Sequence, residues 1–270
     1  MSTKGRLKIG VMSDIHLSGK KHRLVRAQNV LRNVDILLII GDIANGGEEG
    51  QFELAREALS EYPDSIPVFI VAGNHDIPGN DGTSFRAFER DMLRRSRDRL
   101  EVESDPSGAF YVKLSEELDL FGLSPLYHQK LFHFPSKGEQ MTFLETELEK
   151  RGCPSHVILC HPPLAAHNPQ KGRPYLPAEQ DARLQRILDE HPHVLFISGH
   201  THLYPEIEPE DEYGNIYIND GSVCPTQSKK QKSETFPGKI MTFEFDGTFA
   251  KFRTVFLGAE PKEREEVLNG

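Results

Sequence analysis

Between residues 7 and 198 this chain alternates short apolar runs with stretches of helical periodicity, and that alternation limits its fold more than any other feature. The runs at 7–13, 35–40, 68–72, 156–160 and 194–198 are too short for helices and read as buried strands. Leu24, Ala27, Val30, Leu31 and Val34 recur at helical spacing over 23–34, and Phe52, Ala55, Ala58 and Leu59 do so over 48–62. Further helices are predicted over 84–99, 139–151 and 178–190, and a strand pair over 109–114 and 118–123. Strands separated by helices need crossover connections, so a mainly parallel sheet is expected. The runs at 216–219, 240–245 and 250–256 alternate like antiparallel strands. A length of 270 residues and 37% apolar residues suit one α/β domain over 1–270.

The five runs share a second property. They deliver, in order, Asp14 and His16; Gly41 and Asp42; Gly73, Asn74, His75 and Asp76; His161; and Gly199, His200, Thr201 and His202. Parallel strands end at one sheet edge, where ligands bind, so these side chains converge. Burying them without partners is costly, and bound cations supply the partner. Seven nitrogen and oxygen ligands, Asp14, His16, Asp42, Asn74, His161, His200 and His202, exceed one tetrahedral site and suit two ions sharing a carboxylate. Asp42, following Gly41 on an inner strand, is the natural bridge. Mn, Fe, Zn and Co, as divalent or mixed-valence pairs, all accept such ligands.

In this order and spacing the five blocks resemble the calcineurin-like metallophosphoesterases. The resemblance implies two packed mixed β-sheets flanked by helices, a four-layer α/β/β/α sandwich. It implies one metal on Asp14, His16, Asp42 and His202, and a second on Asp42, Asn74, His161 and His200. It also implies a water shared between the ions that attacks phosphorus in line as hydroxide. His75 would face the substrate and protonate the leaving oxygen or stabilise the transition state, with Asp76 orienting it. The compact length, the Gly-Asn-His-Asp form and the His-Pro-Pro after a strand look most like the bacterial members that hydrolyse cyclic nucleotides and glycerophosphodiesters.

The remaining features narrow the alternatives. A formal charge of −9 gives no general attraction for phosphate backbones, which argues against a DNA nuclease. The basic cluster Arg94, Arg95, Arg97 and Arg99 reads as the solvated end of an amphipathic helix. A phosphomonoesterase or protein phosphatase uses the same metal set, whereas an inactive interaction scaffold would have lost ligands. There is no membrane-length apolar run and no signal-peptide core. Three cysteines without CxxC spacing point to a reducing cytoplasm. Cys160 should point into the core, opposite to His161. His167 and Asn168, in the polar loop 162–177, are substrate-rim candidates. His128 and His133 read as part of a packed loop over 124–138, and His22, His156, His191 and His193 as structural or exposed. The C-terminal strands offer an edge for self-association.

Overall fold

The computed structural model describes residues 6–78, 82–97, 99–135, 139–203, 206–227, 235–257 and 262–266. In chain order the elements are β1 (Leu7–Met12), α1 (His22–Val30), β2 (Ile36–Ile40), α2 (Glu49–Ser60), β3 (Val68–Val71), α3 (Thr83–Arg97), β4 (Glu101–Ser104), β5 (Phe110–Lys113) and β6 (Asp119–Leu123). The hairpin β7 (Leu126–His128) and β8 (Leu131–His133) follows, then α4 (Glu139–Arg151), β9 (His156–Cys160), α5 (Ala178–Glu190), β10 (Val194–Ser198), β11 (Glu206–Ile207) and β12 (Ile216–Asn219). The chain continues through β13 (Thr226–Gln227), β14 (Thr235–Phe236), β15 (Lys239–Phe245), β16 (Phe249–Phe256) and β17 (Lys262–Glu266).

Two large sheets form, with strand orders β17-β16-β15-β1-β2-β3 and β11-β12-β10-β9-β6-β5-β4. Each is mixed. β1, β2 and β3 run parallel while β15 joins β1 antiparallel. β6, β9, β10 and β12 run parallel while β5 and β11 join antiparallel. The period-2 pattern of each strand decides what its faces meet. Leu37 and Ile39 of β2 pack under α1, α2 and α3 with Leu24, Phe52 and Phe88, whereas Ile36, Leu38 and Ile40 face Val157, Leu159, Leu195 and Ile197 of the second sheet. On the far face of that sheet, Phe121, Ile158 and Phe196 pack against Leu144 and Leu148 of α4 and Leu184 and Leu188 of α5. The layers are therefore helices, sheet, sheet and helices, as the resemblance implied. Each fully buried Leu, Ile or Phe in them contributes about 1.5–3 kcal/mol of hydrophobic free energy.

The structure corrects several details of the sequence reading. β12 (Ile216–Asn219) pairs parallel with β10 rather than forming an antiparallel C-terminal unit. Strands buried on both faces show no sign of their direction in the pattern. Helix α1 stops at Val30, four residues early; Leu31 N–H still bonds Ala27 O, but the Leu31 carbonyl accepts from the Tyr62 hydroxyl at 2.7 Å. His128 and His133 end the two short strands β7 and β8 instead of lying in an irregular loop. Residues 136–138 of the loop at 124–138 lie outside the described residues.

Glu89 of α3 is buried beneath Arg86 and Arg90, and its Oε1 has no hydrogen-bond partner. Burial pushes its carboxyl up to about 8. Through the pH range between its ordinary value and 8, the unfolded chain has lost a proton that the folded protein keeps, so stability falls as pH rises. Glu89→Gln is expected to remove that slope and raise the melting temperature at pH 8 by several degrees, with little change at pH 4. Thermal melts of both proteins across pH 4–9 check this.

Candidate metal centre

The C-terminal ends of β1, β2 and β3 in one sheet and of β9 and β10 in the other meet at the same edge of the sandwich. Backbone hydrogen bonds tie these ends together. Asp14 N–H donates to Gly41 O at 3.1 Å, His16 N–H to Asp42 O at 3.0 Å, and Gly199 N–H to His161 O at 3.0 Å. Asp14, His16, Asp42, His200 and His202 all have φ between 50° and 66°, the left-handed region that non-glycine residues rarely adopt. Each costs of order 1–3 kcal/mol, and such strain gathers at functional sites. Gly73 has no tolerated alternative, because a Cβ there would overlap the Asp42 carboxylate, and one on Gly41 would come within 2.6 Å of His161 Nδ1.

The side chains thus assembled form two overlapping groups. Asp14, His16, Asp42 and His202 bring ligand atoms within 4.8 Å of one another, and so do Asp42, His161 and His200. His202 Nε2 lies 2.8 Å from Asp14 Oδ1, His16 Nε2 lies 3.8 Å from Asp42 Oδ2, and His161 Nε2 lies 3.4 Å from the same Asp42 oxygen. Asp42 is common to both groups, the position expected of a bridge. Asn74 Oδ1 and His161 Nε2 are buried without a hydrogen-bond partner. His161 Nδ1 donates to Ile40 O at 2.6 Å, which leaves Nε2 with its lone pair toward the carboxylates when the ring is neutral. Orphaned oxygen and nitrogen donors around two acidic groups fit a pair of cations.

The protonation pattern reports the same demand for positive charge. Burial alone would lower His161, but the charges of Asp42 and Asp14 raise it to about 10. Burial would raise Asp14, yet the hydrogen bond from His202 and the charge of His161 hold it below its ordinary value. Burial pushes His16 down to about 4 and His200 to about 3, so both rings are neutral donors at pH 7. Protons on His161 thus do in the protein alone what a cation does when bound.

The structure places the other sequence candidates as follows. His75 is half-buried beside the cluster, its ring edge-on to His16 at 4.7 Å, and its Nδ1 donates to Asn45 O at 2.8 Å. Asp76 does not orient that ring. Both of its oxygens are used by backbone N–H groups, Ala44 at 2.8 Å and Gly73 at 2.9 Å, so it pins the β2 and β3 loops to each other. Burial and the nearby Asp42 charge raise its carboxyl to about 7. His167 stacks on Tyr217 at 3.4 Å and pairs with Glu208 at 2.6 Å, while the Asn168 amide bonds Arg173 O and Gln170 N within its own loop. That loop reaches the centre through Gln170, whose Nε2 donates to Thr201 O at 3.3 Å. Cys160 is fully buried on the helix side of its sheet, as expected.

Several supporting residues escaped the sequence reading. Ser13 Oγ lies 2.5 Å from Asp14 Oδ2 and 2.7 Å from Asp220 Oδ1, and Asn219 Nδ2 donates to Gly199 O at 2.6 Å. Asn219 closes β12 and Asp220 follows it, so the same signal that exposed the other strand ends, an apolar run stopping at polar residues, was present there. Phe132 and Tyr175 pack edge-on against His200 at 5.0 and 4.3 Å and fix its ring.

Comparison with protein families matches residues 7–204 to the calcineurin-like phosphoesterases, a span that contains every residue of both groups. The chain belongs to this family. Its members are metal-dependent phosphoesterases, and the fold and the paired Asp/His groups agree with that class. Among curated proteins it is 26% identical over 211 residues to the glycerophosphodiester phosphodiesterase GpdQ of Enterobacter lignolyticus, an alignment covering 71% of this chain and 69% of that one. It is 25% identical over 178 residues to a probable cyclic nucleotide phosphodiesterase of Synechococcus sp., covering 62% of this chain and 61% of the relative. Among solved structures, a dimetal phosphatase from Danio rerio superposes with a TM-score of 0.62 at 14% identity over 97% of this chain and 99% of that one, a likeness of fold. Among the described residues no helix is long and apolar enough to cross a membrane.

Proposed function

We propose that this chain is a binuclear metal-dependent phosphodiesterase acting on small phosphodiesters of the cyclic-nucleotide or glycerophosphodiester type. The observation that carries the reading is the sharing of Asp42 between two Asp/His groups, with Asn74 Oδ1 and His161 Nε2 buried and without a hydrogen-bond partner. The names of the two curated relatives supply the substrate class. Asp14, His16, Asp42 and His202 would hold one ion, and Asp42, Asn74, His161 and His200 the other. Two such cations supply Lewis acidity, which makes water nucleophilic near neutral pH and neutralises charge on phosphoryl oxygens.

The chain's own residues do the rest. The loops tied by Asp76 hold Gly73 against Asp42, and the Asp42 Oδ1 accepts His75 N–H at 2.8 Å, so the substrate-side histidine and the shared carboxylate move as one unit. With Nδ1–H engaged by a carbonyl, the His75 Nε2 is the atom that faces solvent chemistry. A reducing cytoplasm and a single domain complete the proposal, supported by Cys153, Cys160 and Cys224 all being free thiols.

The deciding experiment reloads metal-stripped protein with Mn²⁺ and compares chromogenic phosphodiesters with phosphomonoesters of matched leaving group. Diester preference of ten-fold or more is expected and leads to a panel of cyclic nucleotides and glycerophosphodiesters. Monoester preference would overturn the diester assignment in favour of a phosphatase.

A further inference from the structure

We propose that Asp119, Cys153 and His156 form a second, separate cation site, selective for a thiophilic divalent ion of the zinc class, at the end of the second sheet opposite the Asp/His centre. The topology brings the three together. Asp119 and His156 are register partners at the starts of the neighbouring parallel strands β6 and β9, and Asp119 N–H donates to Ser155 O at 3.1 Å. Cys153 lies in the short connection from α4 into β9, its Sγ 3.5 Å from Ser155 O. Their ligand atoms lie within 4.8 Å of one another, and small side-chain rotations reach the roughly 3.5 Å separation of ligands around a tetrahedral zinc ion. His161, at the other end of β9, is five residues and roughly 16 Å away, so the two sites are independent.

A second set of observations points to a ligand. Asp119 is 2% exposed and His156 4% exposed, yet Asp119 Oδ2 and His156 Nδ1 have no hydrogen-bond partner. Orphaned buried donors and acceptors of this kind call for an explanation, and an ion satisfies both at once. Asp119 Oδ1 is already fixed by the Tyr111 hydroxyl at 3.0 Å, which orients the carboxylate as a supporting hydrogen bond orients a metal ligand. A cavity of about 170 Å³ lined by Tyr111, Asp119 and Cys153 gives solvent access. It offers a fourth position to water.

The surroundings also favour a cation. Arg151, which lies over the Tyr111 ring at 3.9 Å, is bound by Glu101, Glu103 and Glu147, and Lys113 is bound by Glu116. The nearby positive charges are therefore already neutralised by carboxylates. Burial pushes His156 down to about 4, so its ring is a neutral donor at pH 7. On binding, the sulfur–hydrogen bond of Cys153 breaks, a sulfur–metal bond forms, and the proton passes to solvent; no electron is transferred. A sulfur, a nitrogen and an oxygen donor select Zn²⁺, Co²⁺ or Cd²⁺ over Mg²⁺ and Mn²⁺.

Cobalt makes the site visible, because a thiolate ligand gives a near-ultraviolet charge-transfer absorption that nitrogen and oxygen ligands do not. Titrating the metal-stripped protein with Co²⁺ is expected to raise this band to a plateau whose intensity corresponds to about one thiolate-bound ion per chain, whatever Co²⁺ the Asp/His centre also takes up. The band is expected to persist in Asp42→Asn and Cys224→Ser and to vanish in Cys153→Ser and His156→Gln. Its persistence in Asp42→Asn separates this site from the catalytic proposal, since neither result depends on hydrolysis. Absence of the band in the unaltered protein overturns the inference without any variant. Survival of the band in Cys153→Ser overturns it as well.

Discussion

Asp42→Asn is expected to lower metal-dependent phosphodiester hydrolysis by 10³-fold or more and to reduce bound metal from two ions per chain to one or none. A 10³-fold loss corresponds to about 4 kcal/mol of transition-state stabilisation. The shape of the side chain survives, because an asparagine Oδ1 can still accept the His75 N–H that Asp42 Oδ1 accepts at 2.8 Å. The second oxygen is what changes. Asp42 Oδ2 sits 3.4 Å from His161 Nε2 and 3.8 Å from His16 Nε2, one imidazole from each group. An amide NH₂ in that place presents hydrogens where both ions need an anionic oxygen. Elemental analysis and initial rates on a diester, with saturating Mn²⁺, check the two halves separately. Two bound ions and an unchanged rate in the variant would remove Asp42 from the bridging role.

The sequence disclosed this centre because each contributing strand is an apolar run that stops abruptly at aspartate, asparagine or histidine. Asp14, Asp42, Asn74, His161 and His200 each follow such a stop, and the structure brings the aspartates and histidines among them together. It disclosed less about the frame. Residues such as Leu38 and Leu159 are buried between the two sheets, and a run buried on both faces reads alike whether its neighbours are parallel, antiparallel or in another layer. β12 was mistaken for that reason. The short β7, β8 and exposed β4 give too few residues for a period to show.

Contacts made through the backbone were illegible for a different reason. The acceptor that sets the His75 ring is the carbonyl of Asn45, and a carbonyl is present whatever residue carries it. Asp76 was assigned that task because it is the adjacent carboxylate in sequence. In the fold it faces the N–H groups of Ala44 and Gly73 instead. The rim candidates failed to show their surroundings in the same way. His167 is taken up by Tyr217 and Glu208, residues some 40 to 50 positions later in the chain.

His75→Ala is expected to retain both metal ions and to lose 10²- to 10⁴-fold in rate on diesters with a poor leaving group, with a much smaller loss on a nitrophenyl leaving group. Metal retention follows from geometry, since the interaction of residue 75 with the Asp42 carboxylate is made by its backbone N–H, which alanine keeps. The leaving-group dependence follows from the tautomer. Nδ1 must carry hydrogen to donate to Asn45 O, so Nε2 can give a proton to a departing alkoxide only from the doubly protonated ring. A nitrophenolate leaves without that proton, whereas a sugar or glycerol oxygen does not. Full activity of His75→Ala on a poor leaving group would show that protonation of the leaving oxygen is performed elsewhere.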